Sequence, residues 1–157
     1  MSKAIIKTIG VLVLAGCATN NVEQKQYASL PVVEGELLKE KWQLLNRFPA
    51  RYPFAAAVSN KTGCATVEYV ITPDYEIENI HVKKTTDRVF NKASKKAVLN
   101  WNWPELPKGL LNTAIKTQTH FKFCIESNEN PCEKVIEKLS CTGKDSISSI
   151  GTLVKRS

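Results

Sequence analysis

Five cysteines and two histidines are the residues with most chemistry to offer in this 157-residue chain. Cys17, Cys64, Cys124, Cys132 and Cys141 are an odd number, which is awkward in an oxidising compartment. Zinc is the rival use, and it wants ligands at close spacing such as CxxC. No two of these cysteines stand so, and His120 is the only histidine near any of them in sequence. No metal or cofactor is expected. No Ser-His-Asp or Cys-His arrangement is suggested, and neither a glycine-rich phosphate loop nor HExxH occurs. Acidic residues are scattered over outward positions, a solvated pattern rather than a general-acid pair. The chain does not read as an enzyme. Twenty-two Lys and Arg against fifteen Asp and Glu give a formal charge of +7. No basic run is interleaved with stacking aromatics, so nucleic acid is not an expected partner.

What Cys17 does depends on the segment before it. In MSKAIIKTIGVLVLAGC, Lys3 and Lys7 precede an apolar run from Ile9 to Gly16. That is the layout of a secretory signal, and the run falls short of the about 20 apolar residues a membrane span needs. Its ending, Leu14-Ala15-Gly16-Cys17, resembles the lipobox of bacterial lipoproteins. The resemblance implies a signal peptide over 1–16, a diacylglyceryl thioether on Cys17, cleavage before it and acylation of the freed amino group. Buried acyl chains contribute about 0.8 kcal/mol per CH₂, so two or three of them anchor the chain essentially permanently. Ala18 stands where inner-membrane lipoproteins often carry Asp, which points to the outer membrane. Loss of Lys3 and Lys7 lowers the formal charge by two, to +5. Four cysteines remain, and in an exported protein an even number implies two disulfides with three alternative pairings.

The elements that must hold those cysteines follow from spacing. Residues 17–33 read as a polar, lipidated tether. From Glu34 to Phe48, apolar residues at Leu37, Leu38, Trp42, Leu45 and Phe48 predict an amphipathic helix ended by Pro49. Cys64 to Ile71 and Ile77 to Lys84 alternate as strands around the turn Thr72-Pro73-Asp74-Tyr75-Glu76, a hairpin. Asp87 caps a helix with Phe90, Ala93, Ala97 and Trp101 on one stripe, which must stop before Pro104. Ala114 to Ile125 alternates again, with Ile115, Phe121, Phe123 and Ile125 on one face and Lys116, Gln118, His120, Lys122 and Cys124 on the other. The predicted fold is therefore α+β: a three-stranded antiparallel sheet in the order 2-1-3, with helices packed on one face. In that order Cys64 and Cys124 meet at neighbouring strand ends on the polar face, so a bridge between them is expected. Cys132 pairs with Cys141 only by elimination, and a helix over 131–139 would span about 13 Å, beyond disulfide reach. Residues 126–157 form a Cys-containing extension whose tail, Cys141 to Ser157, is expected to be weakly ordered.

Arg51-Tyr52-Pro53-Phe54-Ala55-Ala56, the strand from Gly63, the Pro73-Asp74 turn, Phe90-Asn91-Lys92-Ala93, Trp101-Asn102-Trp103-Pro104 and a strand ending Phe121-Lys122-Phe123 come in a telling order. The succession resembles the TonB C-terminal-domain family, the energy transducers of bacterial outer-membrane uptake, and places such a domain within 34–125. The resemblance implies a three-stranded antiparallel sheet with helices on one face. It also implies protein binding by strand addition, in which an extended segment of a transporter joins the sheet. This chain departs from the pattern in a helix-end motif one residue short, with Trp103 where Phe is usual. It also shows no uncleaved membrane helix and no Pro-rich spacer, so nothing in it is expected to receive work from the inner membrane.

The expected function is thus that of a periplasm-facing, lipid-anchored outer-membrane protein. Its third strand would be an open edge that takes an outer-membrane transporter or another envelope protein, with Lys116, Gln118, His120 and Lys122 flanking the bound segment. Edge lysines equally serve to discourage aggregation. His81 and His120 are expected to be solvent-exposed rather than a metal pair. The alternative is a structural lipoprotein that scaffolds an envelope complex with its sheet edge covered and no transport role. Whether the domain forms a homodimer stays open.

Overall fold

The computed structural model describes residues 26–129 and 131–154; the signal segment 1–16, Cys17 and the tether up to residue 25 lie outside the described residues. The expected hairpin is present as β1 (Gly63–Ile71) and β2 (Ile77–Thr85). Thr72 closes its turn: its N–H donates to the Glu76 carbonyl at 3.0 Å, its carbonyl accepts from Tyr75 N–H at 2.9 Å, and its hydroxyl accepts from Glu76 N–H at 3.1 Å. A short helix, α1 (Phe54–Val58), precedes β1. Asp87 accepts from Val89 N–H at 3.0 Å and so caps the 3₁₀ turn Arg88–Phe90, which runs into α2 (Asn91–Asn100). The helix ends when Trp101 turns extended, ahead of Pro104. β3 (Ile115–Ile125) pairs antiparallel with β1, Ile71 opposite Ile115 and Gly63 opposite Phe123. Ala65, Val67, Tyr69, Phe121 and Phe123 face the core with Phe90, Val98, Trp101 and Trp103. Phe90 and Phe123 stack at 4.5 Å between centroids, and Tyr52 meets both edge-on.

The sheet has one strand more than the sequence predicts. Residues Ser146–Gly151, expected to be a weakly ordered tail, form β4, which pairs parallel to β3 from His120–Ser146 to Ile125–Gly151. The architecture is a four-stranded mixed sheet in the order β2-β1-β3-β4 rather than a three-stranded antiparallel one. A short helix, α3 (Cys132–Glu137), lies in the connection. Ile147 packs on the core, Ser149 donates to the Ala50 carbonyl at 2.7 Å, and Tyr52 closes over Gly151, where a Cβ would meet its ring at 2.8 Å.

The disulfides explain why this tail is held. Cys64 bonds Cys141, and Cys124 bonds Cys132. This corrects the expected Cys64–Cys124 and Cys132–Cys141 pairs. Cys64 lies opposite Lys122, so Cys124 is two residues beyond it along β3. The chain after β3 instead folds back over the sheet face that bears both cysteines. Lys84 Nζ donates to the Ser140 carbonyl at 2.7 Å there, and Cys141 N–H reaches Cys64 Sγ at 3.2 Å.

The stripe from Glu34 to Phe48 is not one helix but two 3₁₀ turns, Glu36–Leu38 and Glu40–Trp42. Gly35 enters with φ +70°, and Lys39 between the turns is extended. The core takes Leu37, Trp42 and Leu45, and leaves Leu38 and Phe48 exposed. Glu36 organises this segment. Its carboxylate is fully buried and receives Lys39 Nζ at 2.5 Å, Lys41 Nζ at 2.7 Å and Trp42 Nε1 at 3.1 Å. Burial alone would raise its pKa, but the hydrogen bonds from Lys39, Lys41 and Trp42 together outweigh that and hold it below the usual carboxylate value. The folded state therefore binds this proton less readily than the unfolded chain. Its contribution is present above about pH 4.3, the unfolded value, and is lost as pH falls through the folded one. Glu36→Gln is expected to cost about 2 kcal/mol at pH 7 and to flatten the loss of stability on acidification. Urea midpoints at pH 7 and pH 3 check this; equal pH dependence in both proteins would remove Glu36 from the account.

Candidate functional site

The residues read as a partner-binding edge lie on β3, which is an interior strand. Lys116 is buried, and its carbonyl accepts from Val33 N–H at 2.8 Å where residues 32 and 33 run parallel to β3. Thr117, one residue on, donates its hydroxyl to the Val33 carbonyl at 2.7 Å. Gln118 bonds the Glu34 carboxylate through its side chain. His120 N–H donates to the Asp145 carbonyl at 2.8 Å, and Lys122 pairs with Ser148 of β4. The segment before the first 3₁₀ turn and the strand at the C-terminal end thus cover β3 from opposite ends. They leave only Gln118 without a main-chain partner on that side among the described residues.

The two histidines part company. His81 is half exposed, 3.5 Å from Glu68. His120, expected at the surface, is 2 % exposed. Its Nδ1 shares a hydrogen bond of 2.9 Å with Thr66 Oγ1. Its Nε2 has no hydrogen-bond partner and sits 3.9 Å from Glu34. Burial lowers its pKa against the opposing pull of Glu34 and Asp145. Gly143 lies directly over the ring, where a Cβ would come within 1.8 Å of Nε2, so this crossing admits only glycine. The histidine is a floor on which the returning chain rests. Among the described residues no group of three or more His, Cys, Asp or Glu is placed to hold a metal.

Sequence reasoning passed over Asp145, which anchors β4. Its buried carboxylate pairs with Arg47 and accepts from Thr119 Oγ1 at 2.8 Å, and Thr119 shares a bond of 2.9 Å with the Tyr69 hydroxyl. Burial pushes the Tyr69 hydroxyl well above its ordinary pKa, so it stays protonated throughout. This chain of polar groups joins the loop before α1, the start of β4, β3 and β1. An aspartate in a small, polar tail carries no local signal of a partner 98 residues away.

With β3 covered, the sheet has two other edges. β2 is blunted by Lys83 and Lys84, by irregular register against β1, and by Asn79 at φ +48°. β4 has none of these devices. Asp145 and Gly151 turn their carbonyls to β3, so the alternate residues Ser146, Ser148 and Ile150 turn their main chain outward. No backbone partner meets these three among the described residues, the strand is uncharged, and Ile150 is 53 % exposed. Such a strand is a template for an added one.

No curated protein matches the chain. A solution NMR structure of the Pseudomonas aeruginosa TonB CTD is similar at 28 % identity and a TM-score of 0.46, over 54 % of this chain and 86 % of that one. The family described as Gram-negative bacterial TonB protein C-terminal matches residues 49–125, the stretch from the loop before α1 to the end of β3. Over that stretch the chain carries a domain similar to the TonB C-terminal family.

Proposed function

We propose that this protein is a lipid-anchored, periplasm-facing outer-membrane protein whose TonB-like domain binds another envelope protein, such as a transporter, by accepting an extended segment at the outer edge of β4. TonB C-terminal domains are non-enzymatic protein-interaction domains of the bacterial envelope, which supports a binding role. The Leu14-Ala15-Gly16-Cys17 sequence supports the anchor, with Cys17 as the lipidated residue. The observation that carries the choice of edge is the outward main chain of Ser146, Ser148 and Ile150, unpartnered among the described residues, beside a covered β3. Among the described residues no helix is long and apolar enough to cross a membrane.

In-cell photo-crosslinking from probes at Ser148 and Gln118, read by mass spectrometry, tests the assignment. The expected result is capture of an extended segment of an envelope protein from Ser148. From Gln118, only crosslinks within the chain, to residues around Glu34, are expected. Partner capture from Gln118 and none from Ser148 would return the site to β3. A scaffold without transport role is the second reading, favoured by the cover that Val33 and β4 place over β3. It would take over if neither probe captured a partner segment.

A further inference from the structure

A groove beside α2, lined by no residue of β4, has the chemistry of a second contact. Phe48, Arg51, Ala93, Lys96, Ala97 and Asn100 line an open hollow of about 220 Å³, room for one large side chain. Ala93 and Ala97, one helical turn apart, leave space that longer residues would fill, and Phe48 is 41 % exposed beside them. The wall is fixed on both sides of Pro49. The Phe48 carbonyl accepts from Trp101 Nε1 at 3.0 Å, and the Ala50 carbonyl accepts from Ser149 at 2.7 Å. The hollow is therefore preformed, which spares a ligand the cost of ordering it.

Its charge is one-sided. Arg51 and Lys96 stand at the rim, and neither has an ion-pair partner among the described residues. No carboxylate lines the hollow, and every charged residue of α2 is a lysine, at 92, 95 and 96. Two cations flanking an apolar hollow complement a segment with the opposite arrangement. We propose that this groove docks a linear peptide that inserts one large apolar side chain between flanking carboxylates. A concave site for a single side chain suits a peptide better than a lipid surface, which a flat or convex basic face would meet.

The probe is an acetylated, amidated pentapeptide with a central leucine between pairs of glutamates, titrated into the ¹⁵N-labelled full chain. Saturable shifts are expected at the amides of Ala93, Lys96, Ala97 and Asn100. The double variant Arg51→Glu, Lys96→Glu should weaken binding by at least about tenfold while amide positions elsewhere hold. Ala93→Leu, which fills the hollow without touching the charges, should abolish the shifts. Absence of saturable shifts, or equal binding of the pentapeptide with lysines for glutamates, would overturn the proposal. So would sedimentation with phosphatidylglycerol vesicles that the double variant abolishes while the peptide leaves the spectrum unchanged, which would assign the surface to the membrane. Each outcome is independent of what β4 binds.

Discussion

Replacing Cys64 and Cys141 together by alanine is expected to cost about 4.5 kcal/mol of stability, whereas removing Cys124 and Cys132 should cost about 2.5 kcal/mol. The difference comes from the unfolded chain. The first bridge closes a sequence separation of 77 residues and the second one of only 8, and a longer loop surrenders more entropy when tied. The structure adds a local consequence. Cys141 lies just before Gly143 and Asp145, which seat the returning chain on His120 and fix the start of β4. Without the long bridge, β4 depends on the Asp145 contacts and a single parallel ladder. Urea unfolding should show the order of the two losses. Amide exchange should show its place, with His120 and Lys122 losing protection before Val67 or Tyr69 in β1. Equal losses for the two pairs, or unchanged exchange along β3, would mean that β4 holds without the bridge.

Trp101→Ala is expected to cost about 4 kcal/mol, at the upper end for truncation of a large core residue. Trp101 is buried, packs on Trp103 at 5.9 Å and Phe121 at 6.1 Å, and lies under the Arg47 guanidinium at 5.1 Å. Its Nε1 also holds the Phe48 carbonyl. The same Arg47 pairs with Asp145, so the ring supports the anchor of β4 through one intermediary. Trp101→Phe keeps most of the packing and loses the hydrogen bond, for a further cost of about 1 kcal/mol beyond the smaller ring. Thermal or urea unfolding of both variants checks the split. If alanine and phenylalanine cost the same, the Phe48 bond matters more than the packing.

The antiparallel part of the sheet and its helix were legible because their signals are local. Alternation over Cys64–Ile71, the Pro73-Asp74 turn, Asp87 as a cap and the Phe90–Ala97–Trp101 stripe each concern residues within a few positions of one another. The failures share the opposite property. β4 is held by Arg47, by Cys64 and by the Ala50 carbonyl, all distant in sequence, and Ser-Ile-Ser-Ser-Ile-Gly alone resembles a loop. The stripe after Glu34 failed because its backbone breaks at Gly35, in the left-handed region, and at Lys39, which is extended, and apolar spacing reports neither break. His120 was read as exposed because strand alternation tells which face a residue takes, not what later covers that face. The same gap hid which strand is outermost: the expected edge, β3, lies inside the sheet because the last strand pairs with it.

That last strand also sets an order of events. Synthesis runs from the N-terminus, so β1, β2 and β3 are complete before β4 exists, and the outer side of β3 waits beyond the cover that residues 32 and 33 supply. Parallel pairing with no tight turn is slow to close, because loop entropy is spent before the first bond forms. The Cys124–Cys132 bridge shortens this interval by turning the chain back as soon as both thiols are present. Without that bridge a longer loop must close before β4 can pair with β3, and the outer side of β3 stays open for longer.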